Sequence, residues 1–320
     1  MSKKKLIITG GSGFIGSNLT QKYLNDDRIK TVRIIDDLSN GYYENIKEFE
    51  GHPKFEFFKA DICDYDKMLE LTKGFHLITH QAALGSVPRS IENPMRSTHV
   101  NIDGTVNILH CAVQNKIERV VLACSSSTYG DSPKLPKQED IIGNPLSPYA
   151  VTKYAVELFA EVFHKTYGLN YVGLRYFNIF GPKQNPDNPY AAVIPIFCKA
   201  FMEGKAPTIN GDGHTSRDFT FVDNAVHAND RALFTENKEG LNQIYNVACG
   251  DQVSLNEMID MLKEISGNDI SANYGPERPG DVKHSKADIS KIQKHLDYQP
   301  KVRFREGLEK VYKWYEETYG

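Results

Sequence analysis

The 320-residue sequence has almost no excess charge, a single tryptophan and no long hydrophobic run. Lys and Arg number 38 against 41 Asp and Glu, a formal net charge of −3. That balance removes any broad electrostatic reason to bind nucleic acid or an anionic membrane, although single basic residues remain free to meet phosphates. A small-molecule partner is expected instead. No stretch reaches the ~18 apolar residues that a membrane span requires. Lys3-Lys4-Lys5 before Leu6-Ile7-Ile8 has the outline of a secretory leader, but the glycines from position 10 interrupt the run too early. The five cysteines (Cys63, Cys111, Cys124, Cys198, Cys249) are odd in number and scattered, with no C-x-x-C and no histidine at ligand spacing. Neither a disulfide framework nor a metal site is expected, and reduced, buried thiols fit a cytoplasmic protein. Internal repeats and low-complexity tracts are also missing, which excludes a solenoid or a disordered tail.

What is present is alternation. Short apolar runs at Leu6–Ile8, Val32–Ile35, Phe55–Phe58, Leu77–Thr79, Val120–Cys124 and Tyr171–Leu174 are separated mostly by helical patterns. That order predicts an α/β fold, a Rossmann-type doubly wound parallel sheet with a smaller C-terminal α/β substrate domain. Past about residue 175, Pro182, Pro186, Pro189, Pro195 and Pro207 punctuate shorter elements. The expected division is 1–175 for the nucleotide half and 176–320 for the other, with segments near 218–248 returning to the first. Three helices have clear signals. One has Ser147 as cap, Pro148 at its first position and Gly168 at its end; another starts at Ser254 with Glu257 completing a capping box; a third covers Arg305 to Tyr315. On the first, Val151, Ala155, Leu158, Phe159 and Val162 form an apolar stripe facing either the sheet or a second subunit.

Gly10-Gly11-Ser12-Gly13-Phe14-Ile15-Gly16 follows the first strand and opens a helix. A glycine turn there lets backbone approach a pyrophosphate and presents helix N-terminal N–H groups to it. By itself the pattern is a tight turn; Asp36, twenty residues past Gly16 at the end of the second strand, adds an acceptor for ribose hydroxyls. That acid repels a 2′-phosphate, so the cofactor is expected to be NAD. Asp61 and Ile62 follow the third strand and Gln81, Ala82 and Ala83 the fourth, where an open α/β sheet binds its ligand.

Tyr149 and Lys153 stand four apart on a helix, so both project from one face, where an ammonium lowers the pKa of a phenol. Such pairs are common in helices, and it is the company that matters: Ser125, Ser126 and Ser127 end a buried strand and bring hydroxyls for a substrate oxygen. With a dinucleotide site upstream, a tuned phenol is a base for an alcohol whose carbon gives hydride to a nicotinamide.

The chain now resembles the extended short-chain dehydrogenase/reductase family over nearly its whole length, through Gly10 to Gly16, Ser125 to Gly130, Tyr149-x-x-x-Lys153 and Leu174-Arg175-Tyr176-Phe177-Asn178. Within it, Gln81 to Ser90 and Asn144-Pro145-Leu146-Ser147-Pro148-Tyr149 are similar to the nucleotide-sugar 4-epimerases, above all those acting on UDP-N-acetylglucosamine and UDP-N-acetylgalactosamine. The resemblance implies that Tyr149 removes the 4-hydroxyl proton while tightly held NAD takes the C4 hydride, the 4-keto sugar turns over, and the hydride returns. It extends the cofactor contacts to Asp37, Ser39, Asn40, Gly41 and Phe177. It places Ser86, Val87, Arg89, Asn178, Ala192, Val193, Thr208, Asn210, Arg217, Arg278 and Asp281 on the sugar nucleotide. Counting back from Tyr149 favours Ser127 as the catalytic hydroxyl; counting from the strand favours Ser125, and Ser126 reaches either oxygen. Ser126, Ser127 and Thr128 stand where sister dehydratases and decarboxylases carry acids, which disfavours elimination. Ser285 occupies a gate position that is a tyrosine in epimerases restricted to UDP-glucose and UDP-galactose, so room for a 2-acetamido group is implied. The family further implies a homodimer through the Tyr149 helix and one over about Val106 to Asn115. Competing readings are a 4-epimerase of another UDP-sugar such as UDP-glucuronate, a net oxidoreductase releasing NADH, and a non-catalytic NAD-binding regulator.

Overall fold

A computed structural model describes residues 3–187, 192–277 and 283–320. Seven strands form its main sheet: β1 (Lys4–Thr9), β2 (Ile29–Asp36), β3 (Phe55–Lys59), β4 (Leu77–His80), β5 (Arg119–Ser125), β6 (Tyr171–Tyr176) and β7 (Gln243–Val247). Their spatial order is β7-β6-β5-β4-β1-β2-β3, all parallel. The order reverses between β1 and β4, which opens a crevice at their C-terminal ends. Thr9, Asp36, His80, Ser125 and Tyr176 all stand on that edge, with Thr9 opposite His80 and Ser125 opposite Tyr176. The doubly wound Rossmann-type fold is the expected one.

Both faces of the sheet are covered, which is why its strands read as continuous apolar runs. Alternation along β1 sends Leu6 and Ile8 to one side and Ile7 to the other. Leu6 and Ile8 share a core with Leu19 and Tyr23 of helix Phe14–Leu24 and with Ala228 and Ala232 of helix Val222–Phe234. Ile7 packs with Ile108 and Leu109 of helix Gly104–Gln114 and with Val156 and Ala160 of helix Pro148–Tyr167.

The last of these has its expected ends: Ser147 Oγ accepts from Ala150 N at 3.1 Å, and Gly168 closes it at φ +72°. Val156, Ala160 and Phe163 face the sheet, whereas Val151, Leu158 and Val162 are 53, 47 and 53% exposed. The apolar stripe read from the sequence therefore points away from the sheet.

Beyond Asn178 the elements are short. Two-residue strands Ile179–Phe180 and Thr220–Phe221 pair, as do Ser216–Arg217 with Val253–Ser254; Thr208–Asn210 pairs with Asn273–Gly275. Helices Val193–Met202, Leu255–Ser266 and Phe304–Tyr319 enclose a separate core rich in Phe180, Phe197, Phe201, Phe219 and Phe304. Among the described residues no helix is long and apolar enough to cross a membrane.

Candidate active site

A groove of about 500 Å³ runs along the C-terminal edge of the sheet. Gly10, Gly13, Phe14, Ile15, Gly16, Asp36, Asp37, Ser39, Asn40, Gly41, Asp61, Ile62, Gln81, Ala82 and Ala83 line one part of it, and Ser125, Ser126, Tyr149 and Lys153 the other. The glycines are there because nothing larger fits. Gly10 sits at φ +68°, and a Cβ on it would lie 2.6 Å from Ala82 N; one on Gly16 would lie 2.1 Å from Gly10 O. Gly13 caps helix Phe14–Leu24 with no side-chain hydrogen bond, and no acid stands in the first turn. Its first N–H groups thus remain open to an anion. Asp36 Oδ2 accepts from Ser12 N and Oδ1 from Leu38 N, both at 2.9 Å, and burial pushes the carboxyl pKa up. Lone pairs remain for ribose hydroxyls. Shape, anion site and acid together fit a dinucleotide without a 2′-phosphate.

Beneath the groove a buried chain of hydrogen bonds fixes the β4 loop. Thr105 Oγ1 donates to Asn101 O at 2.6 Å, so it accepts from His80 Nε2 at 3.0 Å. His80 Nδ1 is then the acceptor for Thr9 Oγ1 at 2.7 Å, and Thr9 Oγ1 accepts from Ala82 N at 3.3 Å. Burial and the nearby Lys153 ammonium push the His80 pKa down to about 3, keeping this tautomer neutral. Asn101, in the π-helical turn His99–Asp103, accepts from Leu84 N at 2.8 Å and donates to Thr152 Oγ1 at 3.0 Å, tying the loop to the Tyr149 helix. Nothing in the residue spacing announces a π turn, and the sequence reading missed it.

Tyr149 is half-buried in the groove wall; desolvation raises its phenol pKa, a shift partly opposed by the neighbouring Ser125 side chain. The Lys153 ammonium donates to Ala123 O at 2.8 Å, and burial pushes its own pKa down to about 8. In the protein alone, desolvation sets the direction of the phenol's shift. Of the three serines, Ser125 and Ser126 line the groove with Tyr149, and Ser127 donates from Oγ to Ser125 Oγ at 2.9 Å without lining it. Ser125 also accepts from Ser127 N at 3.2 Å, capping the 3₁₀ turn Ser126–Tyr129.

The Phe177 side chain does not line the groove. It is fully buried, 5.8 Å from the Tyr129 ring and packed with Ala248 and Ala287. Tyr176 lines the groove instead, because successive side chains of a strand point to opposite sides. Its hydroxyl donates to Gln81 Oε1 at 3.1 Å and accepts from Asn229 Nδ2 at 2.7 Å.

A second cavity of about 290 Å³ adjoins the first, and Asn178 and Ile179 line both. Asn178 takes a left-handed φ of +39° and donates from Nδ2 to Asp218 O at 3.1 Å. Ala192, Val193, Thr208, Asn210 and Arg217 line this cavity, together with Phe197, Thr215, Phe219 and Leu255, which the sequence reading did not single out. Ser86 caps the short helix Val87–Glu92 by accepting from Arg89 N at 3.2 Å; Ser86, Val87 and Arg89 line neither cavity. Ser285 is half-buried, donates its N–H to Ser216 O at 3.1 Å and lines neither. Arg278 and Asp281 lie outside the described residues.

An open α/β sheet with a dinucleotide groove, a serine–tyrosine pair at its floor and an adjoining second cavity defines a class of nucleotide-dependent enzyme. A protein family described as GDP-mannose 4,6 dehydratase matches residues 7–311. The UDP-glucose 4-epimerase of Mycolicibacterium smegmatis is 36% identical over 314 residues, covering 97% of this chain and 98% of its own. A UDP-N-acetylglucosamine 4-epimerase from Methanobrevibacter ruminantium, solved with UDP-N-acetylmuramic acid, has a TM-score of 0.93 at 38% identity, covering 99% of this chain and 100% of its own. A UDP-glucuronic acid 4-epimerase from Bacillus cereus, solved with UDP-glucuronic acid and NAD, has a TM-score of 0.91 at 33% identity, covering 98% and 100%. The chain belongs to the nucleotide-sugar epimerase/dehydratase branch of the extended short-chain dehydrogenase/reductase family.

Proposed function

We propose that this protein is an NAD-dependent UDP-sugar 4-epimerase, an isomerase, whose sugar pair is UDP-N-acetylglucosamine and UDP-N-acetylgalactosamine, with UDP-glucose and UDP-galactose accepted as smaller substrates. The observation that carries the reaction is the convergence of Ser125, Ser126, Tyr149 and Lys153 in the cofactor groove, with Asn178 shared between that groove and the second cavity. Bound NAD supplies a hydride acceptor for C4 and a positive charge that favours the phenolate. The helix Phe14–Leu24 N-terminus and Asp36 hold it. Tyr149 Oη takes the proton of the 4-hydroxyl and later returns it, Ser125 Oγ hydrogen-bonds the same oxygen, and Lys153 brings positive charge beneath them.

Elimination is disfavoured on the same ground. Among the described residues, the carboxylates lining the groove are Asp36, Asp37 and Asp61, all at the ends of β2 and β3. None stands in the turn Ser126–Tyr129, where an acid for expelling a neighbouring hydroxyl belongs.

Support for the acetamido sugars comes from Ser285 at the implied gate and from the likeness to the Methanobrevibacter enzyme. A small residue there admits the 2-acetamido group without excluding a plain hexose, since an unfilled pocket costs only about 1–3 kcal/mol. In this reading the second cavity takes the uridine between Phe219, Leu255 and Asn210, and Arg217 meets the diphosphate. The exposed Val151, Leu158 and Val162 support a homodimer through the Tyr149 helix.

Proton NMR of the purified protein with UDP-N-acetylglucosamine and no added cofactor tests the assignment. The anomeric signal of the galacto epimer is expected. Turnover of UDP-glucuronate alone, in a parallel sample, overturns the sugar assignment, and silence with every UDP-sugar overturns the enzyme. Ser285→Tyr is expected to abolish turnover of the acetamido pair while keeping that of UDP-glucose.

A further inference from the structure

The segment after Asp36 forms a strap along the cofactor groove. Asp37, Ser39, Asn40 and Gly41 line that groove, and Leu38 turns the chain there with a left-handed φ of +62°. The strap is then pinned to the glycine turn, where Ser12 O accepts from Tyr42 N at 3.1 Å and from Asn45 Nδ2 at 2.9 Å. Two anchors outside the nucleotide turn hold its flanks. On one flank Lys183 Nζ donates to Asn45 O and Glu48 Oε1, both at 2.8 Å, and Asn185 Nδ2 donates to Tyr42 OH at 3.0 Å. On the other, Arg89 Nη2 donates to Asn40 Oδ1 at 3.0 Å.

We propose that Arg89 is a cofactor-retaining residue: its bridge to Asn40 latches the strap along the groove, and NAD exchanges only when that bridge opens. The proposal rests on the reading of the groove as an NAD site. Three observations carry it beyond the sugar contact that the family resemblance implied for Arg89. The guanidinium meets a groove-lining residue of the strap, and Arg89 itself lines neither cavity. The helix bearing Arg89 is tied to the catalytic helix, because Ser90 Oγ accepts from Tyr149 N at 3.0 Å. The latch therefore has a fixed base. Finally, Asn40, the strap's side of the bridge, is exposed, whereas on the opposite flank Lys183 is only 13% exposed and lies 5.0 Å over the Phe49 ring. A guanidinium–amide bond suits such a latch: it is directional and exchanges with water at modest cost.

The chemistry gives the latch a purpose. An epimerase returns to the sugar the hydride it removed, so cofactor that leaves between the two transfers strands a 4-keto sugar. Retention is part of the reaction.

The test measures bound NAD. Wild type, Arg89→Ala, Asn40→Ala, the double variant and Arg89→Lys are purified identically, their NAD content is determined, and its release is followed by timed ultrafiltration. Arg89→Ala is expected to release NAD about fivefold faster, the scale of one hydrogen bond at an exposed site. The double variant is expected to be no faster than either single one, because both remove the same bond. Arg89→Lys, which keeps a charged donor, is expected to recover part of the retention, and turnover lost by Arg89→Ala is expected to return with excess NAD. Equal release from wild type and Arg89→Ala overturns the latch. A raised KM for the UDP-sugar that excess NAD does not correct overturns it too, and puts Arg89 on the substrate. A wild type that neither carries nor takes up NAD removes the reading beneath the latch and the latch with it.

Discussion

The two cavities of this protein are built by opposite means. The cofactor groove is shaped by backbone: Gly10, Gly13 and Gly16 bring main chain against main chain, and the strand ends of one parallel sheet set its edge. The second cavity is shaped by side chains, with Ile194, Phe197, Ile209, Phe219 and Leu255 drawn from short elements scattered between residues 178 and 255. A groove made of backbone leaves its signature in glycine spacing. A cavity made of side chains can keep its architecture while its lining changes.

Tyr149 lines the groove beside Ser125 and Ser126, and removing its hydroxyl is expected to have the largest effect. Tyr149→Phe keeps the ring in its buried site and takes away the proton acceptor, so turnover should fall by about 10³-fold. NAD content and thermal stability should stay near wild type, which separates chemistry from assembly. A variant that turns over UDP-sugar at more than a tenth of the wild-type rate places the base elsewhere.

Gly16→Ala strikes the backbone-made side. The added Cβ would stand 2.1 Å from Gly10 O and 2.7 Å from Gly11 Cα, and backbone atoms in the same turn have nowhere to move. A loss of about 3 kcal/mol in unfolding free energy is expected, together with loss of copurified NAD. Moving a methyl branch in the side-chain-made cavity should be far milder. Leu255→Ile, as the control in that cavity, is expected to cost less than about 1.5 kcal/mol. Comparable losses from both would show that the contrast in construction is wrong.

Asp218 sharpens the contrast by pH. It is fully buried beside the second cavity, with Oδ1 accepting from Cys249 N at 3.0 Å and Oδ2 from Ala287 N at 3.1 Å. Burial outweighs these bonds and pushes its pKa up to about 7. A carboxyl whose folded pKa is raised favours the folded state below its unfolded value near 4, and that contribution disappears as pH rises through about 7. Wild type should therefore lose stability relative to Asp218→Asn between pH 4 and 8, with a slope of up to about 1.4 kcal/mol per pH unit. Parallel pH–stability curves would mean that the carboxyl titrates normally.

Much of this was legible before any coordinates, and the gaps have physical causes. The sheet, the glycine turn and Asp36 are local signals, since a parallel sheet buried on both faces must read as apolar runs and a backbone groove must read as glycine. The helix carrying Tyr149 declared both its ends through Ser147, Pro148 and Gly168. Three things depended instead on side-chain direction, which spacing does not encode. Ser125 and Ser126 rather than Ser127 line the groove with Tyr149 because the strand turns into a 3₁₀ helix at Ser126. Tyr176 rather than Phe177 faces the groove because β6 keeps alternating to its end. The stripe of Val151, Leu158 and Val162 faces outward because Val156 and Ala160 already fill the sheet side. Arg89 belongs with these: its motif pointed to the sugar, and its guanidinium meets the cofactor strap.

The smallest effect is expected at a helix cap that serves the second cavity from a distance. Ser254 Oγ accepts from Glu257 N at 3.2 Å, and Glu257 Oε2 accepts from Ser254 N at 2.7 Å, a reciprocal box at the start of helix Leu255–Ser266. The box fixes where that helix begins and so where Leu255 enters the cavity wall. Ser254→Ala removes the side-chain acceptor and leaves one N–H to water, a loss of about 1 kcal/mol in denaturant unfolding. Because the cap acts on a wall of the substrate cavity and not on the groove, the KM for UDP-sugar should rise by a few-fold while NAD release stays at its wild-type rate. A change in NAD release without a change in KM would show that the two cavities are mechanically one, and that the division between a backbone-made and a side-chain-made half does not extend to their dynamics.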